Sequence, residues 1–216
     1  MSKQVYISPI LHPSGIVRGR WSLEPVQVDY LRRINECLRG VREVALVDIN
    51  QPPPRSNLFP TPTDTQEFVN ETLTGQWDTV GVDIENAGRH IICIGFTQLQ
   101  LALGQVGSTI CVRFRRRGGD VYYLDRAELE SVVESVDSLL GDVGVGLVFH
   151  NGTTHDVPIL EAVGFRVGGR LIDTMLLSHT ANSEIPKGLQ FTATHRLWSP
   201  CWKLLTEESD EDEGKG

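Results

Sequence analysis

The sequence predicts a mixed α/β domain, a β-sheet whose first strands run as an antiparallel meander and whose later strands alternate with helices. Three observations predict it. Short apolar runs with strand-like alternation succeed one another between residues 78 and 124 with no helical pattern between them. After residue 125, helix-like and strand-like segments alternate. Glycine-rich turns, RRRGGD and GDVGVG, separate the pieces. A small α/β fragment precedes this domain.

Composition narrows the class before any motif is read. With 40% hydrophobic and 22% charged residues in a chain of 216, and no apolar run near the ~20 residues a bilayer crossing needs, the pattern is that of a globular chain without a membrane partner. MSKQVYISPILHPSG lacks the apolar stretch and small-residue cleavage site of a secretory signal, so the cytoplasm, bacterial or phage-infected, is the expected compartment. Cys37, Cys93, Cys111 and Cys201 are widely spaced, as reduced thiols are, rather than clustered as zinc ligands. Residues 207–216 carry six acids and one lysine, so they account for −5 of the formal net charge of −8. Net charge therefore says little about a nucleic-acid partner. The run Arg113, Arg115, Arg116 and Arg117 says more, as a phosphate-contacting cluster or as a solvated hairpin tip.

In chain order, residues 5–12 read as a short strand and 24–38 as a helix, with Val26, Tyr30, Leu31, Ile34 and Leu38 on one face and Gly40 as the stop. Residues 49–62 are proline-rich and polar, the composition of a linker. A helix is expected over 65–73, then strands over 78–85, 90–101, 108–114 and 121–124. Asp125 is placed to cap a helix over 126–140, because its carboxylate can accept from the unpaired N–H groups of the first turn. A strand over 147–150 follows, then a helix from about residue 154, and LIDTMLLSHT reads as a short strand running into a helix. EESDEDE is a solvated acidic tail.

The carboxylates carry the chemistry. Positions i and i+2 of a strand share a face, so Asp83 and Glu85 project together from the end of an otherwise apolar strand. Unpaired acids there are costly unless something compensates them. In HNGTTHDVPIL, Asp156 falls on the first turn of a helix entered from a buried strand, with Asn151 five residues earlier. Acids converging from separate elements are what hydrolysis by two divalent metals requires, since hard cations take oxygen ligands. An exposed strand end is the competing explanation for D-x-E, as a turn-former is for Asn151. His150 and His155 flank the motif and read as hydrogen-bonded structural residues. Asp173 reads as a side chain bonding backbone at a strand-to-helix junction.

VGVDIEN, VFHNGTTHDVPIL, LIDTMLLSHT and IPKGLQFTATHRLW together resemble the 3'-5' exonuclease domain of phage-like family A DNA polymerases, of the DEDD superfamily and RNase H-like fold, over nearly all of residues 76–205. The resemblance implies that Asp83 bridges two Mg2+ (or Mn2+) ions, that Glu85 holds one and Asp156 the other, and that Asn151 contacts substrate near the scissile phosphate. Its third motif, Tyr-x3-Asp or His-x4-Asp, is not found: His179 has Glu184 at the fifth position and His195 has Pro200.

YISPILHPSGIVRGRW is similar to the last motif, H-P-S-x-x-x-R, of uracil-DNA glycosylases, in which His12 would polarise the uracil carbonyl. The expected organisation is thus a glycosylase-like C-terminal fragment at 1–48, a linker at 49–62, an exonuclease domain at 63–205 lacking its third motif, and the tail at 206–216. The expected function is metal-dependent 3'-5' exonuclease action on single-stranded DNA ends, in proofreading or repair. Arg115, Arg116 and Arg117 would help bind the strand, and a polymerase domain would accompany it in the same polypeptide or a nearby gene. The rival reading is a non-catalytic nucleic-acid-binding module with a degenerate site; an RNase of the same superfamily is a third.

Overall fold

The computed structural model describes residues 55–197 apart from 117–119, 124 and 184. The chain divides into two compact units, residues 51–177 and residues 1–50 with 178–216. His12, the glycosylase-like segment, Arg117, Trp198, Trp202 and the acidic tail lie outside the described residues.

The first unit is built on one sheet of six strands. In chain order these are β1 (Ser56–Asn57), β2 (Thr79–Ala87), β3 (His90–Gln100), β4 (Gln105–Arg113), β5 (Gly146–Phe149) and β6 (Arg170–Asp173). Their spatial order is β1-β4-β3-β2-β5-β6; β2, β3 and β4 are antiparallel, and β5 and β6 run parallel to β2. Helices α1 (Pro62–Glu71), α2 (Arg126–Gly141), α3 (Asp156–Ala162) and α4 (Thr174–Ala181) accompany it. This is the mixed, helix-flanked α/β sheet that the sequence predicts. Among the described residues no helix is long and apolar enough to cross a membrane.

Alternation in β2 sorts its side chains between two environments. Val80, Val82 and Ile84 are buried and join Ile94, Phe96, Ile110 and Val112 of the neighbouring strands in one core. Val132, Val136, Leu139 and Leu140 of α2 complete it with Phe68 and Val69 of α1. Asp83 and Glu85 stand on the opposite face, both solvent-exposed. Pairing sets Gly95 opposite Asp83 and Cys93 opposite Glu85. Cys93 and Cys111 are half-buried free thiols, and Cys37 and Cys201 lie outside the described residues.

Two elements differ from expectation. Within the segment read as a linker, β1 pairs in parallel with Thr109 and Ile110, the Thr109 N–H donates to the Arg55 carbonyl at 3.2 Å, and Arg113 Nε donates to the Leu58 carbonyl at 3.2 Å. Proline is tolerated beside an edge strand, so a proline-rich composition does not forbid this pairing. The same segment also starts α1 earlier than residue 65. Thr61 and Asp64 form a reciprocal capping box, the Asp64 N–H donating to Thr61 Oγ1 at 3.1 Å and the Thr61 N–H to Asp64 Oδ2 at 2.8 Å, with Pro62 in the first turn.

The expected strand over 121–124 is reduced to a single bridge between Arg115 and Val121. Beside it the Arg116 N–H donates to the Asp120 carbonyl at 2.8 Å and the Tyr122 N–H to the Phe114 carbonyl at 2.9 Å. Tyr123 then leaves the sheet for the core, and Asp125 begins α2 at once. The second unit contributes, among described residues, the end of α4 and a helix α5 (Leu189–Leu197), on which the rings of Phe191 and His195 stack 5.7 Å apart.

Asp125 Oδ1 accepts the Ala127 N–H at 2.8 Å, the cap read from sequence. Asp125→Ala is expected to lower stability by about 1 kcal/mol, measured as a shift in urea midpoint with an unchanged slope.

Candidate metal centre

The centre forms where β5 parts from β2. Pairing of these strands runs from Thr79–Gly146 to Gly81–Val148 and stops. Beyond that point Asp156, a buried side chain on the first turn of α3, comes near the backbone of Ile84, whose N–H favours its charged form. Ile84 lies between Asp83 and Glu85, so the helix carboxylate stands near the part of β2 that bears the strand carboxylates.

Their proximity is visible in their acidity. Asp83 keeps solvent access, yet surrounding protein raises its pKa above the usual carboxylate range, and the negative charges of Asp156 and then Glu85 push it further; His155 and His150 oppose the rise. Burial likewise raises Asp156, opposed by His155, whose Nδ1 lies 3.7 Å from Asp156 Oδ2, and by the Ile84 N–H. Both acids are held where ionisation is disfavoured, which is the condition a bound cation relieves.

The donor set fits a hard divalent cation, since all three groups offer carboxylate oxygens. Their spacing is looser than a closed ligand shell: among the described residues, no group of three or more His, Cys, Asp or Glu side chains is gathered tightly enough to hold a metal ion. Asp83 and Glu85 are both exposed.

The loop between β5 and α3 is fixed by Asp173, at the end of β6. Asp173 Oδ1 accepts the Asn151 N–H at 3.0 Å and caps α4 by accepting the Met175 N–H at 2.9 Å, while Oδ2 accepts Thr153 Oγ1 at 2.9 Å and the Thr153 N–H at 3.2 Å. Burial alone would raise this carboxyl, but those donors outweigh it and hold its pKa below the ordinary value. Its reading as a structural side chain at a strand-to-helix junction holds. The sequence does not show that it also grips the Asn151–Thr153 loop, a contact across 20 or more residues.

Asn151 has φ 67°, a left-handed conformation that asparagine tolerates better than most residues, and its Oδ1 accepts from Thr154 Oγ1. At Gly152 an added Cβ would lie 2.2 Å from the Phe149 Cβ, so only glycine fits. His150 Nδ1 is 2.9 Å from Thr174 Oγ1, which itself donates to the Phe149 carbonyl at 3.0 Å, the structural role expected. Arg115 and Arg116 lie elsewhere. Arg115 Nη2 sits 3.3 Å from His90 Nδ1, and Arg116 Nη2 donates to the Tyr122 carbonyl at 3.4 Å, beside cavities that none of the three carboxylates lines.

No family model matches the chain, and no curated protein does. Solved structures do. The chain is similar to Brucella melitensis NrnC with bound Mg2+ (15% identity, TM-score 0.43, covering 67% of this chain and 61% of that one). It is similar to the catalytic core of RRP6 from Trypanosoma brucei (16%, TM-score 0.49, 71% and 37%). It is also similar to Escherichia coli RNase D, an exoribonuclease involved in structured RNA processing (14%, TM-score 0.43, 65% and 32%). The matched part thus spans three fifths of the NrnC chain and about a third of the other two. Identities this low and overlaps this partial assign neither activity nor substrate.

Two outcomes follow from the loop. Asp173→Ala leaves several donors without their acceptor and should cost about 2–3 kcal/mol in chemical denaturation. Because the folded pKa of Asp173 is depressed, its contribution is complete above the unfolded-state value and lost as pH falls through the folded one. Asp173→Asn should therefore flatten the acid side of the stability–pH curve, from about pH 4 downward.

Proposed function

We propose that the chain is a metal-dependent 3'-5' exonuclease acting on single-stranded nucleic-acid ends, with DNA as the preferred strand. What supports this reading is the placement of Asp83 and Glu85 near the end of β2 and of Asp156 at the start of α3, where burial and the charges of Asp156 and Glu85 disfavour ionisation of Asp83. Asp83 is central to the group and is the side chain suited to touch two cations, with Glu85 on one and Asp156 on the other. When bound, such ions prepare a water molecule for attack and stabilise the departing oxygen.

A non-catalytic nucleic-acid-binding module is favoured by a different observation, the loose spacing of the acids among the described residues. The absence of a recognisable third motif in the sequence points the same way. The family A polymerase and glycosylase resemblances support one further reading, in which this exonuclease works alongside a polymerase domain and next to a remnant centred on His12.

Calorimetric titration separates these readings. Mn2+ or Mg2+ should bind the wild-type chain with modest affinity and fail to bind Asp83→Ala; equal binding by both would remove the site. In the absence of metal, Asp83→Asn should raise the melting temperature, because the variant loses a carboxylate whose ionisation the fold disfavours, and added Mg2+ should then stabilise only the wild type. On 5'-labelled single-stranded DNA and RNA of one sequence, turnover should be slow, faster with Mn2+ and faster on DNA. Asp83→Ala/Glu85→Ala should reduce it by about 10^2 or more. Wild-type turnover no faster than that double variant would leave the binding module as the function.

A further inference from the structure

The reading of the carboxylates leaves one pair of nucleophiles unused. Alternation along β3 and β4 sends Ile94, Phe96, Ile110 and Val112 into the core and turns Cys93 and Cys111 to the other face of the sheet. Both are free thiols and only half-buried, so a small solute can reach them.

Register sets the two on a diagonal. Cys93 stands opposite Arg113, and Cys111 opposite Gly95. The Phe114 N–H donates to the Ile92 carbonyl at 2.8 Å, so the next position, Cys93 with Arg113, is a non-hydrogen-bonded pair, as is Gly95 with Cys111; facing side chains lie closer in such pairs. Yet neither thiol has a side chain straight across from it. Gly95 has none, and a Cβ built there would meet nothing nearer than the Asp83 carbonyl oxygen, at 3.8 Å. The Arg113 side chain is drawn aside: its Nε donates to the Leu58 carbonyl at 3.2 Å and its guanidinium carbon lies 4.1 Å from the centre of the Phe59 ring. What remains for each cysteine across the ladder is the other. Each is also the strongest influence on the other's acidity. Cys93 lowers Cys111, against burial and with the Arg113 charge helping, while Cys111 raises Cys93, as burial does. A disulfide needs its β-carbons about 4 Å apart, and Gly95 puts no side chain in the way of that approach.

We propose that Cys93 and Cys111 are a site of peroxide oxidation, at which a disulfide forms across β3 and β4. The Cys111 thiolate, with Arg113 beside it, attacks one oxygen of hydrogen peroxide; the O–O bond breaks, hydroxide leaves and Cys111 becomes a sulfenic acid. The Cys93 sulfur then attacks the Cys111 sulfur, the S–O bond breaks, and water leaves with the Cys93 proton. The hydroxide takes the proton that Cys111 gave up. Two thiols and one peroxide thus become one disulfide and two water molecules. Asp83, Glu85 and Asp156 take no part, so the site stands whether or not they bind metal.

The bond can be read within a single peptide. Residues 90–113 leave a tryptic digest in one piece, because Arg89 and Arg113 flank them and no Lys or Arg lies between. The full chain, reduced and freed of reductant, is treated with equimolar hydrogen peroxide, alkylated and digested. Wild type should yield this peptide without alkyl groups and two hydrogens lighter, and dithiothreitol before alkylation should restore both labels. With Cys93→Ser the reaction should stop at the sulfenic acid of Cys111, trapped by dimedone. With Cys111→Ser, oxidation of Cys93 should be slower by roughly tenfold, since the thiolate is the attacking species. Wild-type closure in urea should slow by about as much, because Arg113 and Cys93 no longer adjoin Cys111. The proposal is overturned if the wild-type peptide stays doubly alkylated, if Cys93 or Cys111 bonds instead to Cys37, Cys201 or a second chain, if Cys93→Ser yields no trapped adduct, or if closure in urea is as fast as in the fold.

Discussion

The carboxylate of Asp173 is the constraint from which the centre is assembled. It joins the end of β6, the start of α4 and the loop leaving β5, accepting from donors in two of these at once. With the loop gripped, Asn151 is held in its left-handed turn and Gly152 lies against Phe149. The chain then enters α3 with Asp156 already on the strand side. Asp156 stands near Ile84, beyond the point where β5 stops pairing with β2. The Asp173 carboxylate thus holds the loop that leads to Asp156.

The fold tolerates the resulting repulsion because apolar side chains enclose its source. Between the exposed Asp83 and Glu85 stands Ile84, buried with Val82 and Val80 on the opposite face. Turning the acids away would turn those side chains out of the core, since a strand cannot rotate one position without its neighbours. Locally unfavourable electrostatics are therefore locked in by globally favourable packing, as is common where a protein keeps a site at some cost to stability.

What could be read from the sequence follows from the range of the interactions involved. Asp83 and Glu85 on one face, the Asp125 cap and the alternation of strands and helices after residue 125 all depend on neighbours a few positions away, and all hold. β1 was hidden because its partners, Thr109 and Ile110, are more than fifty residues off and its own composition is that of a linker. The strand over 121–124 failed for a related reason. Val121, Tyr122 and Tyr123 have good strand propensity, but burial of Tyr123 and the immediate start of α2 take them out of the ladder. The arginine run is conspicuous in the sequence, yet nothing local could show that Arg115 and Arg116 line cavities apart from the carboxylates.

The two residues of β1 also bear on how the molecule keeps to itself. β4 is long and would otherwise be the outermost strand, presenting unpaired N–H and C=O groups to any extended peptide that came near. Ser56 and Asn57 occupy part of that border, the Arg55 carbonyl takes the Thr109 N–H, and the Arg113 guanidinium lies 4.1 Å from the centre of the Phe59 ring. The chain's own preceding segment thus fills the slot into which a second molecule could insert a strand. A nick or deletion between residues 55 and 61 would bare this border, and its first consequence would be self-association through β4 while the carboxylates, three strands away from β1, kept their geometry.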